Sequence, residues 1–217
     1  LLYFAEGAPI GYIWWAMPTR LREAGVPVEE VAALIAMLAL PWAFKFLWAP
    51  AVDRLRGAKW GYRAWITVAQ VAMGLTLLPL SALPIQDSMG IITWLLLAHA
   101  VSAATQDVAI DALAISSVPE HDRARTTGWM QAGMLVGRAT FGGLALAAEQ
   151  WIGAPAVIFV LVGCIWFTIA VVWLFPNSGA MDAPRRPDAP PLSVTIPRAL
   201  RQRTLWVGLG IALTAGA

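Results

Sequence analysis

Apolar runs of about 20 residues recur along the whole chain, and this length constrains the fold more than any other feature. They occupy residues 1–19, 31–50, 64–83, 90–115, 128–148 and 155–175, and a seventh opens near residue 204. At about 1.5 Å of rise per residue, such a run crosses about 30 Å of hydrocarbon as a helix. Within lipid every backbone N–H and C=O must be satisfied by the chain itself, which leaves helices or closed barrels. The predicted class is therefore all-α integral membrane. Composition agrees: 59% of residues are hydrophobic and 13% charged, whereas soluble domains carry about 25% charged residues. Mean hydropathy is +0.67.

A net charge of +2 and an isoelectric point near 9.0 raise the question of nucleic acid, but the basic residues share no helix face and form no tail. They sit in loops. Those after runs two, four and six hold Arg54, Arg56, Lys59, Arg63, Arg123, Arg125, Arg185, Arg186, Arg198, Arg201 and Arg203, and the alternate loops hold only Arg20 and Arg22. This bias places the basic loops in the cytoplasm. Trp48, Trp60, Trp65, Trp129, Trp151, Trp173 and Trp206 fall near run ends, where amphipathic rings favour the membrane interface. The single cysteine, Cys164, lies in an apolar run, so there is no internal disulfide and no metal-ligand spacing. The expected partners are the lipid bilayer, a small-molecule substrate and protons, with no nucleic acid, no metal and no cofactor.

Residues 176–203 are rich in proline and arginine and read as a cytoplasmic linker. Residues 1–175 then form a six-span unit, and 204–217 begin a seventh span. Six spans, a basic loop and further spans make the pattern of one half of a twelve-span transporter. The expectation is an amino-terminal half that packs against a carboxy-terminal half not contained in these residues. Such halves are built of three-plus-three inverted repeats, although no repeat is visible in this sequence.

Ionisable residues inside the runs are Glu6, Lys45, His99, Asp107, Asp111 and Arg138, with Gln106 and Gln131 as neutral companions. A central Asp costs about 2.5–3.5 kcal/mol on insertion scales, so such groups face a bundle interior or a water-filled path. Asp107 and Asp111 are one turn apart and share a helix face. Two carboxylates in low dielectric make a proton acceptor, or else a pair of structural ion-pair partners. Arg138 lies too deep to reach the interface and calls for a counter-ion, either Asp107 or Glu6, or an anionic substrate. Lys45 either snorkels to the interface or pairs with substrate or an aspartate. Glu6 is followed by Gly7, Pro9 and Gly11, so span one is expected to be irregular. Tyr3, Tyr12, Trp14 and Trp15 supply aromatic faces for a ligand, or simple packing. Gly133 and Gly137, spaced by four, mark a close helix contact, expected to meet a helix of the other half.

Three segments together carry a resemblance: FKFLWAPAVDR at 44–54, TQDVAIDALAI at 105–115 and PEHDRARTTGWMQAGMLVGR at 119–138. With the opening YFAEGAPIGYIWWAMPTRLR, they are similar to the peptide and acetyl-coenzyme-A transporter family of the major facilitator superfamily, which includes AmpG-like muropeptide permeases. The resemblance implies that Asp53 and Arg54, with Arg123 and Arg125, belong to cytoplasmic loops that lock the two halves together in one state. It places Lys45, Gln106, Asp107 and Asp111 on the family's patterned positions. The family pattern carries an arginine in span five where this chain has Gln131, and Arg138 stands seven residues on.

The resulting expectation is a proton-coupled secondary transporter of the bacterial inner membrane, importing anhydro-muropeptide-like substrates by alternating access. Asp107, Asp111, Glu6 and Arg138 are the proton-coupling or ion-pair candidates. Lys45, Gln106, Gln131, Arg138, Tyr12 and Trp14 are the substrate-binding candidates. Rival readings are an acetyl-coenzyme-A, drug or sugar transporter of the same superfamily, or a non-transporting membrane sensor. An intramembrane enzyme using His99 is disfavoured, because no Ser/His/Asp set and no metal-spaced cluster accompanies it.

Overall fold

The computed structural model describes residues 1–55, 60–174, 201–203 and 206–207. The chain divides into two units, Leu1–Pro184 and Arg185–Ala217. The predicted linker and the start of a seventh span lie almost wholly outside the described residues.

Among the described residues of the first unit the regular elements are helices, and they form six helical passages. Span one consists of α1 (Leu2–Gly11), a π-helical turn (Tyr12–Ala16) and α2 (Met17–Glu23). Span two is α3 (Val28–Phe44) with a short 3₁₀ turn at Lys45–Leu47, followed by the small helix α4 (Ala49–Arg54). Span three is α5 (Tyr62–Leu77) and span four is α6 (Ile85–Ser117). Span five joins α7 (Arg123–Ala139), a second π-helical turn (Thr140–Leu144) and α8 (Ala145–Ile152), and span six is α9 (Ala154–Leu174).

Spans two, three, four and six are continuous helices long and apolar enough to cross a membrane. Spans one and five are the irregular ones. The irregularity expected around Glu6 appears further along span one, at Tyr12–Ala16, where the Met17 N–H reaches back five residues to the Tyr12 carbonyl. Pro18, one residue later, has no N–H to continue the regular ladder. Span five does the same without proline: the Ala145 N–H bonds the Thr140 carbonyl. The two wide turns pack on each other. Several helices run past their apolar cores into polar flanks, α6 for 33 residues, or about 50 Å. Backbone hydrogen bonding does not stop at the hydrocarbon edge, so apolar runs underestimate such helices.

The glycine seam lies elsewhere than expected. Gly137 packs inside this bundle, against the Phe4 carbonyl and the Ala8 N–H of span one, and not against a helix outside it. Gly7 and Gly11 answer from span one, where added side chains would strike the backbones of Met134 and Arg138. Glycines on both partners let the two backbones approach closely, and α1 and α7 make the most extensive helix pairing of the bundle.

Buried apolar side chains form two clusters, a large one around Tyr12, Leu38, Met73, Leu96 and Ile158 and a smaller one around Val52, Tyr62, Ile66, Ala109 and Met134. Interhelical hydrogen bonds supplement them. Gln70 Nε2 donates to Thr168 Oγ1 at 2.7 Å, and Trp166 Nε1 donates to the Gln70 carbonyl at 3.2 Å, tying span three to span six. His99 is buried with Nδ1 3.2 Å from the Met73 carbonyl. That contact joins spans three and four and gives His99 a structural place.

Candidate functional site

A cavity of about 550 Å³ opens among spans one, two, four and five, within the range of small-molecule sites. Its polar lining is Tyr3 and Glu6 from α1, Lys45 from the turn ending span two, Asp107 and Asp111 from α6, and Arg123, Thr126, Thr127, Gln131 and Arg138 from α7. Apolar walls come from Ile10, Trp42, Met130 and Met134.

Helical spacing explains most of this set. On α6 the four-residue interval turns both aspartates to one side. Tyr3, Glu6 and Ile10 recur on one face of α1, and residues 123, 127, 131, 134 and 138 do so on α7. Lys45 is delivered differently. Pro41 stands inside α3, and the helix tightens into a 3₁₀ turn at Lys45.

The charges meet at Lys45. Its Nζ donates to Asp107 Oδ2 and lies 3.7 Å from Asp111 Oδ2. The Tyr3 hydroxyl donates to the other oxygen of Asp111. Side-chain exposure is 8% for Asp107 and 43% for Asp111, so Asp107 is enclosed with the lysine while Asp111 reaches the open side of the cavity. Glu6 is buried close to Asp107, with Oε2 sealed from solvent and lacking a partner. Three carboxyl groups thus surround one ammonium.

The remaining candidates are distributed as follows. The counter-ion of Asp107 is Lys45; Arg138 makes no ion pair among the described residues, and its Nε is buried without an acceptor. Gln106 is fully buried and does not line the cavity. Tyr12 is buried toward α2, where Arg20 Nη1 donates to its hydroxyl at 2.5 Å and Arg20 Nε lies 3.5 Å from Glu149 of α8. Trp14 stacks edge-on against Trp42, with ring centroids 5.6 Å apart, and so supports the wall from behind. Asp53 accepts from the Tyr62 hydroxyl at 3.2 Å. Arg123 donates to the Ile115 and Val118 carbonyls at 3.3 and 3.4 Å, capping the end of α6, where a cation suits the helix dipole. Arg54 and Arg125 are exposed.

Sequence reasoning passed over Tyr3 as a hydrogen-bond donor and Trp42 as a wall. The three-residue interval from Tyr3 to Glu6 was the signal for the first. Nothing local marked Trp42.

Comparison with known proteins is decisive at the level of family: residues 1–217 match the Major Facilitator Superfamily. The chain belongs to that superfamily. The all-α bundle is the architecture of an amino-terminal half of such a protein. It is 24% identical over 183 residues to the anhydromuropeptide permease of Escherichia coli K12, covering 82% of this chain and 36% of that protein. It is 24% identical over 178 residues to a putative transporter, AmpG 4, of Rickettsia felis, covering 80% and 43%. A Haemophilus influenzae protein without an assigned function is 29% identical over 120 residues, covering 55% and 28%. The chain spans less than half the length of these relatives. The similarity supports the AmpG-like resemblance seen in the sequence.

Proposed function

We propose that this bundle handles substrate and protons in a secondary transporter of the bacterial inner membrane, importing muropeptide-like solutes by alternating access. One observation carries the proposal: an ammonium held between two aspartates, with a third carboxyl beside them, inside a cavity among four spans. Superfamily membership and the permease relatives support the transport class.

The charge arrangement supplies a mechanism. With Asp107 ionised, the Lys45–Asp107 bond ties span two to span four. A proton on Asp107 removes the charge that holds Lys45, which then turns to Asp111 or to an anionic group of the substrate. Loss of the proton on the other side of the membrane restores the tie. Spans two and four therefore have two arrangements, selected by one proton, as a coupled carrier requires. In this reading Asp53, Arg54, Arg123 and Arg125 lie at the cytoplasmic end and help to lock the bundle against a second one. No step calls for catalysis or a cofactor.

The test is uptake of labelled anhydro-muropeptide into proteoliposomes holding the full-length protein, with and without an inward proton gradient. Gradient-stimulated uptake is the expected result. Uptake of acetyl-coenzyme A or efflux of hydrophobic cations in its place would transfer the protein to another substrate class.

A further inference from the structure

Wide turns interrupt spans one and five side by side, and each changes which residues come next along a helix face. On α1 the cavity face runs through Tyr3, Glu6 and Ile10, and an unbroken helix would continue it at residue 14. A π-helical turn holds one residue more than an α-helical turn, so the face resumes at Trp15 and then Thr19. Trp14 is displaced from it and packs edge-on against Trp42. On α7 the cavity face reaches Arg138, and the second wide turn carries it on to Gly142, Gly143 and Leu146.

These residues line a second cavity, of about 730 Å³, between spans one and five. Arg138 lines it and the cavity of the aspartates alike, so the two are neighbours along one route. Trp15 is 52% exposed. It lies close to Gly142, where an added Cβ would stand 3.5 Å from that of Trp15, while a Cβ added at Gly143 meets nothing within 4 Å. An indole therefore stands beside a stretch of span five left bare by two glycines. Lipid chains are poor occupants, because an arginine lines the groove. The Thr19 hydroxyl donates to the Trp15 carbonyl at 3.1 Å and keeps its lone pairs for another donor.

We propose that this groove is a second ligand site and that it binds a sugar ring. A pyranose has an apolar face of C–H groups, which covers the indole of Trp15. Its rim of hydroxyls donates to Thr19 Oγ1 and accepts from the Arg138 guanidinium. The missing side chains of Gly142 and Gly143 leave the space the ring needs. The site rests on the transport reading and divides the solute between two places: its charged part meets Lys45 in the first cavity, and its ring lies beyond Arg138.

The experiment measures binding to the purified full-length protein of an anhydro-muramyl tripeptide and of the same tripeptide, acetylated, without its sugar. The sugar-bearing ligand should bind about tenfold more tightly, as expected for covering one ring face. Trp15→Ala and Gly143→Leu should each erase that difference and leave the sugar-free peptide unchanged, and Trp15→Phe should keep part of it. The leucine enters open space, so its effect does not depend on disturbing the fold. A sugar preference that survives both variants would overturn the site and leave transport standing. A preference lost in both, in a protein that takes up no muropeptide, would uphold the site and overturn the muropeptide reading. Equal binding of the two ligands, or binding of neither, would overturn the site, as would a Trp15-dependent preference for an adenine nucleotide over the sugar. One further measurement keeps Trp15 in place. With Cys164 replaced by alanine, Thr19→Cys should react with a water-soluble maleimide, and the sugar-bearing ligand should slow that reaction at least threefold. Absence of reaction would mean that another part of the protein fills the groove, and would overturn the site.

Discussion

Lys45 and Asp107 join the end of span two to a point two-thirds of the way along span four, across 62 residues of sequence. Asp111, one turn further along α6, lies 3.7 Å from the same ammonium. This relationship makes the pair both a structural tie and a charge balance, and its two roles can be measured separately.

Lys45→Ala leaves Asp107 buried without a cation; breaking a fully buried pair from one side costs about 3–5 kcal/mol, and with Lys45 33% exposed the loss should fall at or below the lower end of that range. The double variant Lys45→Ala, Asp107→Asn removes the stranded charge and should recover much of that loss. Unfolding in detergent of the four proteins of the cycle checks this; equal losses for the double and single variants would contradict it.

Asp107→Asn should abolish gradient-driven uptake in proteoliposomes while leaving exchange of substrate across the membrane intact. Exchange needs the bundle to rock with substrate bound but needs no proton to be carried. Full stimulation by a pH gradient in the variant would remove Asp107 from the coupling step.

Gly137→Ala should destabilise by about 1–3 kcal/mol, the range for overpacking a close contact, because the new methyl group meets the backbone of span one. Gly90→Ala and Gly163→Ala put the same methyl group in open space and should be neutral or stabilising by up to about 1 kcal/mol. Melting temperatures of the three variants separate the cases.

Arg20 binds the Tyr12 hydroxyl and the Glu149 carboxylate between α2 and α8, with side-chain exposures of 19% for the arginine and 11% for the glutamate. Arg20→Ala leaves the carboxylate unpaired and should cost about 1–3 kcal/mol. Adding Glu149→Gln should restore part of the stability. Thermal unfolding reads both, and no rescue would mean that the arginine acts through packing alone.

The apolar runs made the helical passages legible, four of which are long and apolar enough to cross a membrane, because crossing hydrocarbon demands a length that shows in the sequence. The ionisable set was legible too, since charge is rare in such runs. Which acid met which base was not. Both Arg138 and Lys45 were open partners for Asp107 until the turn after α3 placed the lysine beside α6. Gly137 illustrates the same limit: its four-residue spacing with Gly133 announces a close contact, but spacing on one helix does not name the partner. Span one supplied it, through Gly7 and Gly11.

By itself the sequence determined the class of protein, the helical passages, the family resemblance and the list of residues able to carry charge. Each of these follows from properties of one helix at a time: its length, its apolarity, its periodicity and its cost of burial. Only the tertiary structure decided that Lys45 serves Asp107, that Gln106 and Tyr12 lie away from the cavity, and that Arg138 Nε and Glu6 Oε2 are buried without partners. Those outcomes depend on the register between helices, which is set by backbone contacts such as Gly7 on Met134 and Gly137 on Phe4. No single segment of sequence contains that register, because it arises only when two segments meet.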